Sequence, residues 1–89
     1  MQKPSRPSRK TLTSSQIRAA RALLRWSAAE LARAAALGLA TIQRAESAAN
    51  ETSLTAANEI AIRRALEAAG VEFIDENGGG AGVRLRKRN

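Results

Sequence analysis

Residues 27–46, SAAELARAAALGLATIQRAE, decide the fold because they contain two short helical patterns separated by a glycine. The first pattern places apolar side chains at the i, i+3, i+4 and i+7 spacing of one helical face, at Ala28, Leu31, Ala32 and Ala35. Ser27 precedes it, and Glu30 follows three residues later, which is the signature of a capping box at a helix start. We therefore predict a helix over residues 28–35.

The second pattern follows a short break at residues 36–38, and it predicts a helix over residues 39–47 with Ile42 and Ala45 facing inward. Gly38 is expected to provide the unusual backbone angles of the break. Two short helices joined by a turn that contains glycine are typical of a helix-turn-helix. In that motif the second helix enters the major groove of DNA and the first holds it there.

Helical patterns also occur on both sides of this stretch. Ile17, Ala20 and Leu24 share one face of a helix that begins after Thr13 or Ser14. A longer helix is predicted over residues 56–69, with Thr55 as its cap, Gly70 at its end and Ile60 facing solvent. The residues of that helix predicted to face inward are Ile62, Ala65, Leu66 and Ala69.

After Gly70 the period changes from helix to strand, with one strand over residues 71–75 and another over residues 83–87. We expect a hairpin, which must pack on the helices or pair with another chain because an isolated hairpin is marginal in water. The predicted fold is mainly α, with four to five helices followed by a short C-terminal β-hairpin. The predicted division is a disordered basic arm over residues 1–12, a helix-turn-helix domain over 13–70, and a hairpin with a basic tail over 71–89.

The composition favours a nucleic-acid partner. The 89 residues carry 15 lysines and arginines against 8 acidic residues, a net charge of +7, which attracts polyanions. Aromatic residues make up 2 %, which argues against recognition of single strands by base stacking. Histidine and cysteine are absent, and the carboxylates show no paired arrangement, so we predict no enzyme, no metal and no cofactor. No apolar run approaches the ~18 residues of a membrane span, so no membrane partner is expected.

Residues 16–46, with the pattern S-x-x-E-L-A followed by T-I-x-R-x-E, resemble the small Xre or Cro/C1-type regulators, which include the lambdoid phage repressors. The later segments ALEAAGVEFI and GVRLRK resemble a tail of short bacterial members of that family. The resemblance covers residues 14–87 and implies a compact helical domain whose third helix contacts DNA bases. It also implies a bacterial cytoplasmic protein associated with the nucleoid.

The resemblance assigns base contacts to four positions of the third helix, Leu39, Ala40, Gln43 and Arg44. Arg44 suits the N7 and O6 atoms of guanine, whereas Leu39 and Ala40 offer only apolar contact, for example to a thymine methyl group. Phosphate contacts are expected at Thr41, at Ser27 and Ala28 beside the free amides of the second helix, and at Arg9 and Lys10 in the basic arm. Arg21 and Glu46 match a pair that ties the first helix to the end of the third, which is a structural role.

Three positions depart from the family pattern. Ala28 stands where a phosphate-contacting glutamine is common, Ala36 stands where the turn usually has glycine, and Gly38 stands where serine or threonine is usual. The predicted function is sequence-specific binding of double-stranded DNA by a transcriptional regulator, as a homodimer, since one recognition helix contacts only a few base pairs. The alternatives are an antitoxin or adaptor that binds a protein partner through the C-terminal hairpin while anchored on DNA, and a nonspecific nucleic-acid binder. The arginine- and serine-rich start also fits an organelle transit peptide.

Overall fold

The computed structural model describes residues 12–47, 54–75 and 78–86. These residues form four helices followed by a two-stranded antiparallel hairpin, as the sequence predicts. The elements in chain order are α1 (Ser14–Leu24), α2 (Ala28–Ala35), α3 (Leu39–Ser47), α4 (Ala56–Ala68), β1 (Val71–Ile74) and β2 (Gly82–Leu85). None of the helices in these ranges is long and apolar enough to cross a membrane.

Side-chain caps fix the starts of three helices. Thr13 and Gln16 form a capping box at α1. The backbone amide of Gln16 donates to the Thr13 hydroxyl oxygen, and the backbone amide of Thr13 donates to Oε1 of Gln16. Ser27 and Glu30 form the predicted capping box at α2. Thr55 accepts a hydrogen bond from the amide of Asn58 at the start of α4. These bonds satisfy amides that a helix leaves unpaired at its first turn.

One core joins all the elements. Its fully buried large residues are Leu12, Ile17, Leu31, Ile42, Ile62, Leu66 and Val71. Leu12, the last residue of the predicted arm, is among them, and its amide donates to Oε2 of Glu59 on α4 at 2.8 Å. The packed part of the chain therefore includes Leu12. Ile60 is 52 % exposed, as its position outside the inner face of α4 predicts.

The hairpin packs against the helices of its own chain. Val71 is fully buried, and Phe73 and Val83 pack against the core from the same face of the sheet. The buried side-chain amide of Gln16 on α1 donates to the carbonyl oxygens of Gly82, at 3.0 Å, and Ile74, at 3.4 Å. The hairpin thus satisfies the packing requirement of a small sheet without a second chain.

Candidate nucleic-acid interface

The third helix presents one buried face and one exposed face. Ile42 and Ala45 are 0 % and 1 % exposed and hold α3 on the core. The four predicted base-contacting residues lie on the opposite side and are all exposed: Leu39, Ala40, Gln43 and Arg44. At about 100° per residue these positions span roughly 140° of the helix surface, which is one continuous face. The side chains of Gln43 and Arg44 make no hydrogen bond with the rest of the described chain.

The second helix supports α3 through small and apolar side chains. Leu31, Ala32 and Ala35 are buried on α2, which packs against both α3 and α4. Alanines at such a contact allow two helices to approach closely, and ridge-into-groove packing then limits the angle between them. The exposed face of α3 is therefore carried on a rigid helix pair and not on a loop.

The predicted phosphate-contacting residues Ser27, Ala28 and Thr41 are described, and Arg9 and Lys10 lie outside the described residues. Ser27 is exposed, and its hydroxyl oxygen accepts from the amide of Glu30 at 3.0 Å, so its hydroxyl hydrogen stays available as a donor. Ala28 and Thr41 are half-buried. The amides of Ala28 and Ala29 lack intrahelical partners because they belong to the first turn of α2. This end of α2 can donate to an anion.

The turn between α2 and α3 corrects one expectation. Ala36, and not Gly38, takes the left-handed backbone conformation, with a φ of 58°, and its amide bonds back to the carbonyls of Ala32 and Arg33. Gly38 instead lies directly before α3, where its carbonyl accepts from the amides of Thr41, at 3.1 Å, and Ile42, at 3.3 Å. A left-handed residue after the last turn of a helix is the usual way to end it, so the turn needs the backbone angle at Ala36.

The first helix holds the C-terminal end of α3 through three side chains. The buried hydroxyl of Ser14 donates to the carbonyl oxygen of Ala45 at 2.6 Å. Arg18 donates to the carbonyl oxygen of Glu46. These carbonyls belong to the last turn of a helix, which leaves them without intrahelical donors. The arginines also place positive charge at the negative end of the helix dipole.

Arg21 and Glu46 form the third contact, and the structure brings this predicted pair together. Nε and Nη2 of Arg21 each donate to one carboxylate oxygen of Glu46 at 2.8 Å, and Nη1 donates to the carbonyl oxygen of Trp26 at 2.9 Å. The side chains are 24 % and 10 % exposed. The hydrogen bonds to Glu46 raise the pKa of Arg21 above its ordinary value, against the effect of partial burial. The Arg21 guanidinium therefore stays charged, and the pair links α1, α3 and the α1–α2 turn.

Sequence reasoning missed Ser14 and Arg18 as contacts of α3. It also missed the Thr13–Gln16 capping box, although the Thr-x-x-Gln spacing is a known signature of one. The two contacts to α3 have no local signal, because they join residues 31 and 28 positions apart in the chain. In the part of the chain that the structure describes, no group of three or more acidic, histidine or cysteine residues is placed to hold a metal ion.

Comparison with known proteins gives no assignment. No protein-family model matches the chain, and no curated protein is similar enough to it to indicate a family. A functional proposal therefore depends on the geometry and charge of the residues themselves.

Proposed function

We propose that this protein is a small transcriptional regulator of the Xre type that binds double-stranded DNA sequence-specifically, with α3 as the recognition helix. The observation that carries the proposal is the exposed face of α3, Leu39, Ala40, Gln43 and Arg44, on a helix fixed by α2 on one side and by α1 at its end. A helix of this kind fits the major groove of B-DNA, which is about 12 Å wide. Nothing in the packing of the described residues occupies that face.

The chemistry of the face favours base contacts. Arg44 can donate two parallel hydrogen bonds to N7 and O6 of guanine, and Gln43 can both donate to and accept from adenine. Leu39 is 41 % exposed, and an exposed leucine beside Ala40 suits a thymine methyl group. These contacts distinguish base pairs, whereas contacts to phosphates only position the protein.

Phosphate contacts are assigned to the surroundings of α3. The hydroxyl of Ser27 and the first amides of α2, beginning at Ala28, lie at the positive end of that helix dipole. Thr41 lies at the border of the exposed face of α3. Arg9 and Lys10 would add backbone contacts from the basic N-terminal arm. Residues 12–47 carry five arginines and two glutamates, a net charge of +3, which attracts the duplex to this side.

The proposed protein acts as a homodimer in the bacterial cytoplasm, bound to the chromosome. One short recognition helix contacts only a few base pairs, and two-fold pairing places two half-sites about one helical turn apart. Sedimentation of the purified chain with a saturating duplex is expected to give two chains per site. A result of one chain per site would contradict the dimer but not the proposed DNA binding by α3.

The test of base recognition is selection of duplexes from a randomised library, followed by affinity measurements on the selected site and on random duplex. Arg44→Ala is expected to lose about 1–3 kcal/mol on the selected site, which is roughly a fivefold to 150-fold loss of affinity, and much less on random duplex. The matched control is Arg64→Ala, which removes the same charge from an exposed position on α4. Equal losses for the two variants would assign Arg44 to general attraction, and selection without an enriched sequence would end the proposal.

The basic arm is tested through the dependence of affinity on salt. A chain that starts at Thr11 lacks Lys3, Arg6, Arg9 and Lys10. If those side chains contact phosphates, the slope of log affinity against log salt concentration becomes shallower by about one per lost contact. An unchanged slope would show that the arm stays away from the duplex.

A further inference from the structure

The two edges of the hairpin differ in how they are covered. The β1 strand lies against α4, where Val71 is fully buried and the Arg63 guanidinium lies 5.1 Å from the centre of the Phe73 ring. The β2 strand lies against α1, where the side-chain amide of Gln16 donates to the carbonyl oxygen of Gly82 at 3.0 Å. The β2 strand becomes exposed along its length: Gly82 and Val83 are half-buried, whereas Arg84 and Leu85 are exposed. Arg86, directly after β2, is exposed as well. The C-terminal half of β2 therefore carries exposed side chains, whereas the start of the strand is held by Gln16 of α1.

The strand register shows which backbone groups this edge offers. The amide of Arg86 donates to the carbonyl oxygen of Gly70 at 2.6 Å, so these two residues form a hydrogen-bonded pair. In an antiparallel ladder such pairs alternate, and Glu72↔Arg84 is therefore the next one. The amides and carbonyls of Val83 and Leu85 consequently point away from β1. The sheet has two strands in the described residues, and no further strand meets these groups.

The side chains beside that edge have a distinct chemistry on each face. Arg84 is 68 % exposed, and only its Nε donates to Glu72, at 2.8 Å, so the rest of its guanidinium faces solvent. Arg86 donates to the carbonyl oxygen of Glu67 through Nη2 alone. Leu85 lies on the other face and is 47 % exposed. A strand beside β2 would thus meet two arginines on one face and apolar side chains on the other.

We propose that the outer edge of β2, from Val83 to Arg86, binds an extended acidic segment of a partner protein, which adds as a third strand. The backbone groups of Val83 and Leu85 supply the hydrogen bonds of strand addition. Carboxylates at alternate positions of the segment face Arg84 and Arg86, and the intervening apolar residues face Leu85. This interaction is separate from the proposed DNA contacts of α3, because the edge belongs to the C-terminal hairpin.

Charge favours an acidic segment over a second copy of this chain. When two β2 strands pair antiparallel through their outward groups, Arg84 comes opposite Arg84 or Arg86 of the other copy in two of the three closest registers. Like charges directly opposite one another on a sheet are destabilising. Two whole chains also each carry a net charge of +7. An acidic strand replaces this repulsion with attraction.

The experiment uses the full chain and a fluorescent peptide, Thr-Val-Glu-Val-Glu-Val-Thr, which has the alternation that the edge requires. Fluorescence anisotropy is expected to show binding in the micromolar range that weakens as salt increases, because the recognition is partly ionic. The charge-reversed peptide, with lysine in place of glutamate, is expected to bind at least tenfold more weakly. Amide NMR shifts on addition of the acidic peptide are expected to concentrate at residues 83–86 and to leave α3 unchanged.

Two variants test the edge itself. Leu85→Pro removes an amide that points outward and leaves the β1–β2 ladder intact, so it is expected to abolish peptide binding without unfolding the hairpin. Arg84→Gln combined with Arg86→Gln keeps every backbone donor and is expected to weaken binding about tenfold. Arg64→Gln on α4 is the matched control for loss of an exposed arginine, and it is expected to bind like the parent chain.

Several results would overturn the proposal. They are absence of peptide binding, equal binding of the charge-reversed peptide, equal loss in the Arg64→Gln control, or NMR shifts away from residues 83–86. If the free chain dimerises and Leu85→Pro abolishes that dimer, the edge binds a second copy of the chain instead. Protection of Val83 and Leu85 by duplex DNA would assign it to the nucleic acid. None of these results depends on whether Arg44 contacts bases, so failure here leaves the DNA-binding proposal standing.

Discussion

The two parts of the molecule, residues 12–47 with α1 to α3 and residues 54–86 with α4 and the hairpin, use their charged residues differently. In the first part five arginines accompany two glutamates, and both glutamates are hydrogen-bonded within the fold. The described residues of the second part carry four arginines and four acidic residues, a net charge of zero. The net positive charge of the described residues therefore lies in residues 12–47, the part that contains the proposed recognition helix.

The ion pairs of the two parts also differ in burial. Arg21–Glu46 in the first part is 24 % and 10 % exposed, and both carboxylate oxygens are bonded to the guanidinium. Arg84–Glu72 in the second part is 68 % and 37 % exposed and has a single hydrogen bond. A partly buried bidentate pair contributes to stability, whereas an exposed pair is screened by water and salt. We infer that the Arg21–Glu46 pair contributes more to holding α3 than the Arg84–Glu72 pair contributes to holding the hairpin.

The largest effect is expected from Glu46→Ala. It leaves the guanidinium of Arg21 without its carboxylate in a partly buried place, and the free energy of unfolding should fall by about 2–3 kcal/mol. This is below the cost for a fully buried pair, because Arg21 keeps some contact with water. Urea unfolding followed by circular dichroism measures the change. A loss under about 0.5 kcal/mol, the value typical of exposed pairs, would remove the contrast between the two parts of the molecule.

A smaller effect is expected from Ser14→Ala. The buried hydroxyl of Ser14 donates to the carbonyl oxygen of Ala45, and its removal leaves that oxygen without this donor, at a cost of about 1–2 kcal/mol. Ser15→Ala is the matched control, because Ser15 is exposed on the same helix turn and its hydroxyl oxygen accepts only an exposed hydrogen bond, from Nη2 of Arg18 at 3.3 Å. The same unfolding measurement applies, with hydrogen exchange of the α3 amides as a second readout. If the two variants are equally stable, the contact between α1 and the end of α3 is not what holds that helix.

The turn between α2 and α3 gives a stabilising prediction. Ala36→Gly relieves a left-handed backbone that alanine adopts at a cost, so stability should rise by about 0.5–1 kcal/mol. Ala34→Gly, two residues earlier and exposed within α2, should instead lower stability by about 0.5–1 kcal/mol. Opposite signs for one substitution at neighbouring positions would place the strain at Ala36. Thermal unfolding of both variants measures the two changes in stability. If both substitutions raise stability, or both lower it, the left-handed conformation of Ala36 is contradicted.

The smallest effect is expected at the second ion pair. Glu72→Ala removes the partner of an exposed arginine, and the free energy of unfolding should change by about 0.5 kcal/mol or less. Raising the salt concentration should shrink even this difference. A loss as large as that of Glu46→Ala would show that the hairpin depends on its charges as α3 does.

Local sequence signals were sufficient for most of the fold. The predicted bounds of α2 and α3 are the observed ones, because Ser27 and Glu30 mark the start of α2 and the apolar spacing is unambiguous. The strands were predicted over residues 71–75 and 83–87, whereas they run over Val71–Ile74 and Gly82–Leu85. Alternation gives the face of a residue but not the pairing partner, and register with β1 sets where β2 begins.

Glycine was a misleading signal in the α2–α3 turn. The permissive residue Gly38 suggested the site of unusual backbone angles, but a left-handed angle is needed one residue after the last helical turn, and that residue is Ala36. The contacts of Ser14 and Arg18 with α3 depend on how two helices cross, which no local pattern encodes. The Arg21–Glu46 pair was predicted only through a resemblance, and the structure supplies its geometry.

The separation of roles along α3 has a practical consequence. Ile42 and Ala45 face the core, whereas Gln43 and Arg44 lie on the solvent side and bond to no other described side chain. Residues on that side can thus be exchanged in combinatorial libraries without repacking the interior. If α3 does contact bases, the scaffold would tolerate rapid divergence of target sequence, and a family of mutually orthogonal binders could be derived from one stable fold.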